Sequence, residues 1–106
     1  MKTDWVSSYR IILWMKKTLY SSEQKHFITL LRQMRQNSQL NQKELSEKLE
    51  IPQSTVSNVE RGESQIDLME LRQWLKAVNT DLLDFVRRFE ETVQSDEDNN
   101  TDRHVY

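Results

Sequence analysis

Five residues inside one short stretch carry side chains suited to recognition through hydrogen bonds: Gln53, Ser54, Thr55, Ser57 and Asn58. They lie between Pro52 and Gly62, the only proline and the only glycine of the 106-residue chain. Direct readout of base edges in a major groove uses amides and hydroxyls of this kind. Gln or Asn offers a donor and an acceptor together, matching N6 and N7 of adenine, and Ser or Thr serves several bases. The bland alternative is a neutral, solvated helix face. The residue types speak against it, because exposed helix positions more often carry Glu, Lys or Ala than the weaker helix formers Ser, Thr and Asn. Negative charge is held back until Glu60.

Other chemistries lack their residues. There is no cysteine, so neither a disulfide framework nor a thiolate metal site is possible, which suits a reducing cytoplasm. His26 and His104 are isolated, so no metal site and no cofactor are expected. No Ser-His-Asp arrangement, HExxH string or Gly-rich phosphate loop is present, and no enzymatic activity is expected. The apolar run Ile11–Met15 is followed by Lys16 and Lys17, unlike a secretory signal, and no stretch approaches the ~20 apolar residues of a membrane span.

The elements that must hold the polar stretch follow from helical periodicity and capping signals. Ser21 or Ser22 starts a first helix whose apolar stripe is Phe27, Leu30, Leu31 and Met34, with Ile28 beside it, fading near Asn37–Gln39. Asn41 with Glu44 three residues on resembles a capping box and opens a second helix, Gln42–Leu49. Pro52 suits the first turn of a third helix, Gln53–Arg61, with Val56 and Val59 inward and Gly62 at its C′ position. Asp67 caps a fourth helix with Leu68, Leu71, Leu75 and Val78 inward and Trp74 at its edge. Thr80 or Asp81 caps a fifth, carrying Leu82, Leu83, Phe85, Val86 and Phe89. The expected fold class is all-α, with five short helices and tight links. The second and third helices, joined by about three residues, have helix-turn-helix spacing.

The string "LNQKELSEKL…QSTVSNVERG" completes the picture. Over Leu30–Phe85 the chain resembles the Xre-type helix-turn-helix domain of lambdoid phage repressors and Cro proteins. The resemblance implies a compact five-helix, lambda-repressor-like DNA-binding domain and a sequence-specific transcriptional regulator, most simply a repressor. It further implies that Gln53, Ser54 and Asn58 face bases, with Thr55 and Ser57 nearby. Gln42 would touch a phosphate, with Asn41 and Lys43 beside it, and Arg61 and the backbone near Ser64 would approach the opposite phosphates. Arg35 and Glu60 match a pair that forms an internal salt bridge in such repressors. Two departures stand out: Glu50 occupies the inter-helix turn where Gly is frequent, and Ser46 stands where Ala is commoner. A non-glycine in the left-handed region costs on the order of 1 kcal/mol, so a turn differing in detail is expected.

Charge sets a further condition. The net charge is −2, and residues 41–64 hold three basic side chains against five acidic ones. Few phosphates would be neutralised per subunit, so one copy should bind weakly. The remedy is a homodimer on a palindromic double-stranded DNA operator, with half-sites about 34 Å apart. Val86 and Phe89, late in the fifth helix, are the expected dimer contact. The alternatives are an antitoxin that neutralises a toxin partner and represses its own operon, or a protein-binding helical module without DNA contacts.

Outside the domain, assigned to residues 21–91, residues 1–20 read as an N-terminal extension. Met15 is the expected biological start, with residues 1–14 optional. Residues 92–106 set Asp96, Glu97, Asp98 and Asp102 against Arg103, a net of −3. They read as a disordered acidic tail.

Overall fold

The computed structural model describes residues 22–103, and their side chains as far as Asp96. The extension, including the Met15 start and the aromatic residues before it, lies outside the described residues. Among the described residues five helices follow in order: α1 Ser22–Asn37, α2 Gln42–Leu49, α3 Gln53–Glu60, α4 Leu68–Ala77 and α5 Leu82–Arg103. The all-α expectation holds.

Local chemistry explains the starts. Asn41 Oδ1 accepts from the Glu44 N–H at 2.7 Å while Glu44 Oε1 accepts from the Asn41 N–H at 2.8 Å, closing a full capping box. Asp67 and Glu70 repeat the device at α4, at 2.7 and 2.9 Å. Asp81 rather than Thr80 caps α5, its carboxylate accepting from the Asp84 N–H at 3.2 Å. Pro52 precedes α3 with φ −62° and ψ 145°, one position earlier than its expected place inside the first turn.

The core joins Leu31 and Met34 of α1, Leu45 of α2, Val56 and Val59 of α3, Leu71, Trp74 and Leu75 of α4, Val78, and Phe85 of α5. Phe27 packs edge-on against Phe85 and Phe89, with ring centroids 5.8 and 6.4 Å apart. α1 lies between α3 and α5, and α2 packs on both α3 and α4. Ser46 is buried, and its hydroxyl donates to the Lys43 carbonyl at 2.6 Å, so this small polar side chain enters the helix interface without an unmet hydrogen bond.

Three expectations need correction. Leu68 is 65% exposed, not inward, because it is the first residue of α4, beyond the reach of the core. Trp74 is buried, not at an edge, because it joins the core cluster with Leu45, Leu71 and Leu75, against which Leu49, Ile51 and Ile66 pack. The last helix does not stop near Glu91 to give a disordered tail. It continues to Arg103, Val93 is buried, and His26 Nε2 lies 3.4 Å from Asp96 Oδ2. Apolar burial at Val93 offsets the entropy of ordering the chain there.

Candidate nucleic-acid interface

The α3 segment is seated by one buried acid. Val56 and Val59 enter the core, and the side chain of Glu60 is completely enclosed. Arg35 grips it with two donors, Nε to Oε2 at 2.7 Å and Nη2 to Oε1 at 3.0 Å. Gln42 Nε2 donates to Oε1 at 3.0 Å, tying the first residue of α2 to the last of α3. Arg32 Nη2 donates to the Glu60 backbone carbonyl at 2.7 Å, which satisfies an otherwise open C-terminal acceptor of α3. Arg35 Nη1 also donates to the Leu40 carbonyl at 2.8 Å. Three helices therefore meet at one carboxylate, which fixes the angle at which α3 leaves the body of the domain.

Burial pushes the Glu60 carboxyl up. The hydrogen bonds from Arg35 and Gln42 and the charges of Arg35 and Arg32 outweigh that push and hold it below the ordinary glutamate range. The acid is thus ionised, enclosed and compensated, and presents no net repulsion to an approaching polyanion. The expected Arg35–Glu60 pair is present. Arg32 and the second role of Gln42 were missed by the sequence analysis. Arg32 and Arg35 stand three apart on one helix face, and that spacing was the available signal.

Turns complete the frame. Glu50 ends α2 with φ 57° and ψ 44°, so the turn keeps the left-handed geometry that glycine usually provides. Its N–H, and that of Ile51, bond back to the Glu47 and Ser46 carbonyls at 3.2 and 3.0 Å. The expectation of a different turn is corrected: the hydrogen bonds hold Glu50 in a strained conformation. Gly62 follows α3 with φ 79°, and a Cβ there would meet Ile28 Cδ1 at 2.9 Å.

On the outer side, Gln53 and Ser54 are exposed, and Ser57 and Asn58 follow one turn later, half-buried. Thr55 departs from this stripe and lines a small cleft with Leu49, Ile51, Ile66 and Trp74. Arg61 lies back across the stripe. Its Nη1 donates to Ser57 Oγ at 2.5 Å and its Nη2 to Asn58 Oδ1 at 2.6 Å. Glu63 takes the other side of the guanidinium, at 3.0 Å from Nε and 3.2 Å from Nη2. This bond and the adjacent charge hold the Glu63 carboxyl below, and the Arg61 guanidinium above, their ordinary ranges. At the α2 end, Lys43 is exposed, Asn41 is engaged in its capping box, and the Gln42 amide is turned to Glu60. Ser64 is half-buried beyond Gly62.

The described residues hold no cluster of three or more His, Cys, Asp or Glu placed to bind a metal ion, and no described helix is long and apolar enough to cross a membrane. The helix-turn-helix family HTH_3 matches residues 31–85, just over half of the chain. The chain belongs to this helix-turn-helix family. Membership makes it a DNA-binding transcription regulator. The fold is similar to that of a point mutant of the restriction-modification controller protein C.Esp1396I, with a TM-score of 0.64 and 15% identity over 70% of this chain and 94% of that one. No curated protein matches the sequence.

Proposed function

We propose that this helix-turn-helix protein is a sequence-specific repressor that binds a palindromic operator as a homodimer, with α3 of each copy in the major groove. It acts by occupying DNA, not by catalysis. The observation that carries this reading is the contrast between the two sides of α3. Val56, Val59 and Glu60 anchor one side, while Gln53, Ser54, Ser57 and Asn58 present amides and hydroxyls on the other. Val86 (41% exposed) and Leu83 (77%) lie one turn apart on α5 and supply an apolar strip for the second copy. Phe89 leaves that strip for a ring contact with Phe27 of its own chain.

Selection of bound sequences from random duplex DNA, at two salt concentrations, tests the proposal. A palindrome with half-sites about one helical turn apart is expected, and Gln53→Ala should relax it at one position in each half-site. Uniform weak binding, with no sequence enriched at either salt concentration, would rule the proposal out.

A further inference from the structure

Arg61 is placed by the sequence pattern among the phosphate ligands, yet its geometry is that of a side chain turned inward. Four of its five N–H donors are spent within the chain: two on the Glu63 carboxylate, one on Ser57 Oγ and one on Asn58 Oδ1. Glu63 is itself fixed by the backbone. Its N–H bonds to the Asn58 carbonyl at 2.9 Å and the Gly62 N–H to the Val59 carbonyl at 3.0 Å, the closing bonds of a helix ended by a left-handed glycine. The chain of contacts from Glu63 through Arg61 to the two polar residues thus hangs on the helix terminus.

We infer that Glu63 and Arg61 set the polarity of the reading face, so that Asn58 and Ser57 offer donors and select keto bases. A free asparagine amide presents one acceptor and two donors, and pairs with adenine by using one of each. Here the guanidinium occupies Oδ1, which leaves Nδ2 as the group to face the groove. Ser57 Oγ likewise accepts from Arg61, so its own O–H becomes the outward donor. In the major groove, acceptors without a neighbouring amino donor belong to guanine (O6 and N7) and thymine (O4), whereas adenine and cytosine present N6 or N4 amino groups. Arg61 is then a positioning residue whose charge is cancelled by Glu63, not a phosphate ligand. The inference rests on α3 being the base-facing helix.

Sequence selection and competition binding with the full chain test it. Asn58→Ala first identifies the base pair that Asn58 reads. At that pair the unmodified protein is expected to prefer guanine or thymine. Arg61→Lys, which keeps the charge but loses the fork, and Glu63→Gln should each reduce the preference over adenine about tenfold, the scale of a base-edge contact. In Arg61→Lys, which keeps the charge, the dependence of affinity on salt should stay unchanged. Asn58, Arg61 and Glu63 lie outside the core, so thermal unfolding serves as the check that each variant is folded. An adenine preference in the unmodified protein would overturn the inference. So would an Arg61→Ala protein that keeps its base preference while its salt slope falls by about one, the mark of a lost phosphate contact. Both results leave the proposed operator binding standing. If no sequence is enriched even by the unmodified protein, the base-reading role of α3 fails, and this inference fails with it.

Discussion

Glu60 shows how a residue that argues against DNA binding by its charge supports it by its position. An enclosed carboxylate is tolerable only when paired, and removing one partner leaves an uncompensated charge. Arg35→Ala is therefore expected to lower stability by about 3–5 kcal/mol, measured by urea unfolding, with DNA binding lost in proportion to the unfolded fraction. The same carboxyl predicts a pH response. Its folded-state pKa is depressed, so its contribution is fully present above the unfolded value of about 4.3 and is lost as pH falls through the lower folded value. Thermal unfolding followed from pH 6 downward should show stability falling below about pH 4.3. Glu60→Gln should flatten that part of the profile; an unchanged slope would assign the acid response to other carboxylates.

Among the described residues, four left-handed positions punctuate the helices: Gln39, Glu50, Gly62 and Asn79. Only one of them is glycine, and space as well as backbone angle explains which. The side chain of Ile28 fills the place where a Cβ at position 62 would sit, while Glu50 is exposed. Glu50→Gly is accordingly expected to raise stability by about 1 kcal/mol, and Gly62→Ala to lower it by at least about 1 kcal/mol. Denaturant midpoints of the two variants, compared with the unmodified protein, check both signs. The helix starts were legible in the sequence because each depends on a few adjacent residues. The capping box at Asn41, the cap at Asp67 and the valine pair of α3 stand where the pattern put them, and the Arg35–Glu60 pair stands where the family resemblance put it. The engagement of Arg61 was not legible, because a guanidinium near a helix end serves equally well as a phosphate ligand or as a partner for the Ser, Asn and Glu side chains around it.

At the scale of the whole molecule, the proposed function depends on a second copy and on the placement of the long α5. Even with Glu60 offset by Arg35 and Arg32, the three basic residues between positions 41 and 64, one of them tied to Glu63, would neutralise few phosphates, so the proposed reading requires two copies. Leu83→Asp combined with Val86→Asp is expected to give a folded monomer by sedimentation and to weaken operator binding at least about tenfold; a variant that still sediments as a dimer would move the interface away from α5. The end of the domain can be located in the same way. A chain stopped after Glu91 loses the buried Val93 and should unfold with about 1.5–3 kcal/mol less stability, whereas one stopped after Asp96 should lose little. Equal stability of the two shortened chains would place the fold boundary back at residue 91.

The sequence by itself determined the helices, their caps, the helix-turn-helix pair, the inward valines and the family. The helices, caps and inward valines are written in spacings of two to four residues, where backbone hydrogen bonding and helical period act, and the family in the resemblance of the longer string over Leu30–Phe85. Only the tertiary structure decided that Leu68 faces out and Trp74 in, that α5 runs on past Val93, that Gln42 turns to Glu60, and that Arg61 lies over Ser57 and Asn58. Each of these depends on which distant or opposing group arrives to cover a surface or accept a proton. Periodicity marks the apolar and polar faces of a helix, but packing fixes where each face ends and which polar atoms remain open to a ligand.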